Sequence, residues 1–131
     1  STMASSAVDK GLHFAKYLAE HLNCRYLDVP INPEKLDIGG ILAMLDKNAK
    51  VIYGLYNGHL NPGQISLANE ISRRGHELLG ITLRNPYDLS LLDDKIHKIA
   101  AYEYNVATFN GLIKILMKEE LPKGKLPVTL K

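Results

Sequence analysis

The chain has 131 residues, 46% of them apolar and 23% charged, with a formal net charge of +2. That length fits one globular domain with a real core. The near-balanced charge, with cations spread from Lys10 to Lys131, argues against a nucleic-acid arm or a polybasic membrane patch, and no apolar run reaches the roughly 18 residues that span a bilayer.

In chain order, two hydrophobic periods alternate. Val8, Leu12, Ala15, Leu18 and Leu22 mark a helical stripe. Cys24 to Val29 reads as a short strand. Ile38, Ile41, Leu42 and Leu45 form a second helical stripe, which Gly39-Gly40 is expected to kink or interrupt. Ala49 to Tyr56 is a dense apolar strand of the kind covered on both faces in a parallel sheet. Ile65, Leu67, Ala68 and Ile71 predict a third helix. Glu77 to Leu83 and Ile96 to Tyr102 predict further strands, joined by a segment with room for one or two helical turns between Tyr87 and Asp94. Phe109, Leu112, Ile113 and Leu116 predict the last helix. After a polar loop from Glu119 to Lys125 comes a short terminal strand, Pro127 to Leu130. The alternation predicts an α/β fold: a three-layer αβα sandwich with a mostly parallel sheet and a short terminal strand.

The single Cys24 can form neither an internal disulfide nor a thiolate metal cage, and its apolar surroundings predict a small buried side chain. No dinucleotide or Walker glycine motif is present. Of five histidines, none has metal-ligand spacing, and only His59 falls in a strand-to-helix connection. The adjacent carboxylates Asp93-Asp94 and Glu119-Glu120 read as solvated surface, because neighbours in sequence do not converge on one glycosidic bond. A phosphoacceptor domain would need acidic residues at the central strand ends, where Tyr56 and Asn57 stand. With no Trp and two Phe, the chain lacks the aromatic platform of a free-standing sugar-binding module.

Asn32-Pro33, Asn61-Pro62 and Asn85-Pro86 each follow a predicted strand. Asn suits the N-cap and Pro the first helical position, and Asn105 is expected to cap the last helix. The same turns lie at the carboxyl edge of the sheet, where α/β proteins bind ligands. Asn57, His59, Asn61, Arg84 and Asn85 are therefore candidate substrate-binding residues. Capping and ligand contact are compatible, so the pattern alone does not choose between them. No catalytic set, cofactor site or metal site is predicted.

Two stretches go further. Leu83-Arg84-Asn85-Pro86-Tyr87-Asp88-Leu89, followed by Ile99-Ala100-Ala101-Tyr102-Glu103, leads by way of Phe109 to Met117 to the ending Gly124-Lys125-Leu126-Pro127-Val128-Thr129-Leu130. This ordered set resembles the C-terminal domain of glycoside hydrolase family 3, in its bacterial β-N-acetylglucosaminidase (β-N-acetylhexosaminidase) branch. The resemblance implies an α/β sandwich packed beside an N-terminal TIM barrel that carries the catalytic aspartate and the amino-sugar substrate. A chain of 131 residues cannot also hold a barrel of about 200 residues or more, so residues 1–131 are expected to be one domain of a larger protein. The β-glucosidase branch places an acid/base glutamate after a strand resembling Val51 to Tyr56; Asn57 to Asn61 is short and contains none. By the resemblance, no catalytic residue lies in this chain. The family domain also opens with a strand that Ser1 to Ala7 does not show, which would leave an open sheet position and the prospect of an edge-strand dimer. The other expectation is a stand-alone α/β domain for a small ligand or a protein partner. The compartment stays open.

Overall fold

The structure, a computed structural model, is described over residues 2–3, 5–6, 13–118 and 128–130. Its core element is β4 (Lys50–Tyr56), in which Val51 through Leu55 are all buried. The two-residue period of a strand divides them between faces. Val51, Tyr53 and Leu55 pack with Ile41, Leu42, Leu67, Ala68 and Ile71, from α2 (Lys35–Met44) and α3 (Pro62–Arg73). Ile52 packs on the opposite side with Phe14, Leu18 and Leu22 of α1 (Phe14–Leu22) and Phe109, Leu112, Ile113 and Leu116 of α4 (Val106–Lys118). Two hydrophobic layers on one sheet make the αβα sandwich, with each fully buried Leu, Ile or Phe contributing about 1.5–3 kcal/mol.

The remaining strands are β1 (Thr2–Met3), β2 (Ser5–Ser6), β3 (Tyr26–Asp28), β5 (Leu78–Leu83), β6 (His97–Ala101) and β7 (Val128–Leu130). The order is β2-β3-β7-β4-β5-β6, with β1 also paired to β4. Every pair is parallel. The terminal strand is inserted between β3 and β4, where Thr129 pairs with both Tyr26 and Ile52. A 3-10 helix, Pro86–Leu91, fills the short β5–β6 connection.

Three expectations need correction. The amino-terminal stretch does join the sheet, β1 along β4 and β2 along β3, so the open position that motivated an edge-strand dimer is filled. Helix α2 runs uninterrupted through Gly39 and Gly40, because both face open space and its ends are held elsewhere. Its N-cap is Glu34, in a capping box with Asp37, rather than Asn32. Val8, Leu12 and the polar segment 119–125 lie outside the described residues.

Cys24 is half-buried against the α1 side of the core. His21 is exposed and donates from Nδ1 to the Tyr17 carbonyl (2.8 Å). Among the described residues, no helix is long and apolar enough to cross a membrane.

At the centre of β4, the Tyr53 hydroxyl is buried with no hydrogen-bond partner, as is Oγ1 of Thr82 on β5. Burial pushes the Tyr53 phenol well above its ordinary value of 10.0. The unfolded chain therefore releases this proton above pH 10 while the folded chain keeps it, and the stabilisation present below pH 10 is lost as pH rises. Tyr53→Phe removes an unsatisfied polar group and is expected to gain about 1 kcal/mol at neutral pH. Above pH 10 the difference between the two proteins should widen by about 1.4 kcal/mol per pH unit. Urea unfolding of both across pH 7 to 11 measures this, and parallel curves would contradict it.

Candidate functional site

Because all the strands run the same way, their carboxyl ends gather at one edge. There β4 ends at Tyr56-Asn57 and β5 at Leu83-Arg84. Asn57 takes a left-handed conformation (φ 52°), and its carbonyl accepts from the backbone N–H groups of Leu60 (2.9 Å) and Asn61 (3.1 Å) and from the Asn61 side-chain amide (3.1 Å). Asn61 occupies the N-cap of α3 with Pro62 behind it, but its side chain turns back into this turn and caps nothing. The cap comes from another loop: Asn32 Oδ1 accepts from Gly63 N–H at 2.8 Å. Asn105 behaves as its spacing predicts, accepting from Thr108 N–H at 2.8 Å to start α4.

The centre of the edge is Asp88, on the 3-10 helix and 0% exposed. One carboxylate oxygen accepts from Gly58 N–H (2.6 Å). The other accepts from His59 N–H (2.8 Å) and faces His59 Nδ1 at 3.2 Å. These bonds offset the cost of burying a charge. Gly58 permits the approach, since a Cβ there would lie 3.2 Å from the Asp88 carboxyl carbon. A carboxylate can only accept, so Nδ1 donates to it, and in the neutral imidazole Nε2 then carries the lone pair. The His59 side chain is 31% exposed, and no described residue hydrogen bonds its Nε2. The Asn85 amide nitrogen lies 3.5 Å from His59 Nδ1.

Arg84 completes the edge. Its N–H donates to the Ala101 carbonyl (2.9 Å), extending the β5–β6 ladder, and Nη1 donates to the Tyr56 hydroxyl (2.7 Å). The guanidinium lies over the Tyr56 ring, 5.8 Å from its centre. Its φ is 82°, and among the described non-glycine residues with positive φ it alone is not an asparagine. Left-handed backbone costs an ordinary residue about 1–2 kcal/mol. Arg84→Gly is therefore expected to be more stable than Arg84→Ala by about 1 kcal/mol, both having lost the same side chain. Equal denaturation midpoints would show that the backbone carries no strain.

Of the five sequence-predicted residues, the structure brings His59 and Asn85 together directly. Arg84 is covalently next to Asn85, and Asn57 and Asn61 shape the turn that presents His59. Sequence reading missed Asp88, Tyr56 and Gln64. Gln64 is fully buried: its amide donates to the carbonyls of Ile31 (2.6 Å) and Tyr56 (3.0 Å) and accepts from Tyr56 N–H (2.8 Å), tying two edge loops together. The available signal for Asp88 was a lone acid between Tyr87 and Leu89 in a connection too short for a full helix. Other acidic groups are structural. Glu70 hydrogen bonds Arg73, which holds its carboxyl below the ordinary range. Asp28 pairs with His13, whose Nδ1 caps α1. Among the described residues, no three His, Cys, Asp or Glu side chains are placed to hold a metal ion.

The chain superposes on a solved structure of a glycoside hydrolase family 3 beta-N-acetylglucosaminidase from Paenibacillus sp. str. FPU-7, with a TM-score of 0.72 and 17% identity. The match covers 99% of this chain and 27% of that one. No family model and no curated protein sequence matches. At this identity the likeness establishes the fold alone, and the matched unit makes up about a quarter of the Paenibacillus chain.

Proposed function

We propose that this chain is the C-terminal, non-catalytic domain of a bacterial glycoside hydrolase family 3 β-N-acetylhexosaminidase. In this reading it packs on an N-terminal TIM barrel that performs the hydrolysis, and its carboxyl edge lines the substrate entrance. The observation that carries the reading is the superposition of nearly the whole chain on part of an N-acetylglucosaminidase. The edge chemistry supports it, since Arg84, Asn85 and His59 present hydrogen-bonding groups of both senses. Asn57 and Asn61 serve by fixing the His59 turn. An edge-strand dimer is no part of the reading.

Two results test it. The coding sequence upstream of Ser1 is expected to encode a barrel in frame, whereas a stop codon and separate promoter would favour a stand-alone binding domain. The 131-residue chain is expected not to hydrolyse a chromogenic N-acetylglucosaminide, and turnover lost on changing one of its own residues would refute the non-catalytic role.

A further inference from the structure

We propose that Asn57-Gly58 is a self-modification site, a deamidation-prone pair that the buried Asp88 carboxylate holds silent and that reacts when the 57–61 turn opens. The chain contains two Asn-Gly pairs, Asn57-Gly58 and Asn110-Gly111. Glycine favours deamidation of the asparagine before it because no Cβ shields its backbone nitrogen. Asn110 lies inside α4, where the helix fixes the backbone and its Oδ1 accepts from the Tyr17 hydroxyl at 2.7 Å. Asn57 lies half-buried in the β4–α3 connection, with no helix to restrain it.

In the reaction the Gly58 nitrogen gives its proton to solvent hydroxide and attacks Asn57 Cγ. The new N–Cγ bond closes a succinimide ring as the Cγ–Nδ2 bond breaks, and Nδ2 leaves as ammonia with a proton from water. Water then opens the ring at either carbonyl, leaving aspartate or isoaspartate at position 57. For the nitrogen to reach Cγ, the peptide plane between Asn57 and Gly58 must rotate, and that plane is anchored at both ends. The Asn57 carbonyl accepts from the Leu60 and Asn61 N–H groups and from the Asn61 side-chain amide. The Gly58 N–H donates to the buried Asp88 carboxylate at 2.6 Å. That carboxylate also opposes loss of the Gly58 proton, since the amide anion would face a like charge, and it is far too weak a base to take the proton itself. Once formed, a second carboxylate at position 57 adjoins the N–H that holds the first, and like-charge repulsion disfavours reclosure of the turn.

The test is peptide mapping by mass spectrometry of the 131-residue chain held at mildly alkaline pH, following both asparagines. In the folded parent, Asn57 is expected to deamidate about a hundredfold more slowly than in denaturing urea, about tenfold for each anchored end of the peptide. Asp88→Ala is expected to speed Asn57 about tenfold while Asn110 stays slow. Asn61→Ala, which removes one bond to the Asn57 carbonyl and leaves Asp88 in place, is expected to speed it about threefold. Where Asp88→Ala raises both sites together, the whole fold has opened and Asn61→Ala decides: a rise confined to Asn57 supports the proposal and an unchanged rate overturns it. A folded-parent rate within about threefold of the rate in urea, or an Asp88→Ala rate no faster than the parent's, would also overturn it.

Discussion

Asp88→Ala is expected to be the most damaging single change, costing about 4 kcal/mol in urea or guanidinium unfolding. The Asp88 carboxylate is buried and receives two backbone N–H groups, from Gly58 and His59, as well as the His59 ring. Alanine leaves the buried Gly58 N–H and the part-buried His59 N–H without their acceptor or forces the 57–61 turn to open, and each unsatisfied buried donor costs about 1–3 kcal/mol. Against a typical total of about 5–15 kcal/mol, that is a large share. Asp88→Asn keeps one acceptor and turns an amide N–H toward the other donor, so about half the loss is expected. The ring should respond even where the protein stays folded: without the carboxylate, His59 samples both tautomers. A cost below about 1 kcal/mol for Asp88→Ala would show that the carboxylate does not organise the edge.

Gly63→Ala is expected to cost about 3 kcal/mol. A Cβ at Gly63 would stand 2.1 Å from the Pro33 carbonyl oxygen and 2.8 Å from Asn32 Oδ1. The obstructing oxygen belongs to the backbone, so no rotamer change relieves the clash. The first turn of α3 must pull away from the 31–33 loop, losing the Asn32 cap on Gly63 N–H. Asn32→Ala alone is expected to cost about 1 kcal/mol, as for other lost caps. The double variant should fall well short of the sum, because the first change already breaks the contact the second removes. Additive losses in thermal or denaturant unfolding would mean that the two loops are not coupled there.

The parts of the fold that were legible in the sequence are those whose own side chains dictate them. Val51 to Leu55 reads as a strand covered on both faces because it is buried on both faces. The stripes of α1, α3 and α4 read as helices because their apolar residues repeat along one core-facing side. The amino-terminal strands were not legible. Thr2, Met3, Ser5 and Ser6 carry no apolar alternation, and they are held by pairing to β3 and β4. The Asn-Pro pairs were read as local caps, but Asn32 caps a helix 31 residues away and Asn61 folds back on Asn57. The edge was legible only in outline. His59, Arg84 and Asn85 stood out by their position after strands, whereas Asp88, the group that sets the His59 tautomer, is joined to it by a contact spanning 29 residues that no spacing rule reveals.

The most direct test of the edge as a non-catalytic substrate contact is steady-state hydrolysis of a chromogenic N-acetylglucosaminide by the full-length gene product and its His59→Leu variant. The expected result is a KM raised about tenfold, one hydrogen bond's worth of affinity, with kcat within about threefold of the parent. A collapse of kcat at unchanged KM would make His59 part of the chemistry, and unchanged constants would remove the edge from the substrate path; either would contradict the account.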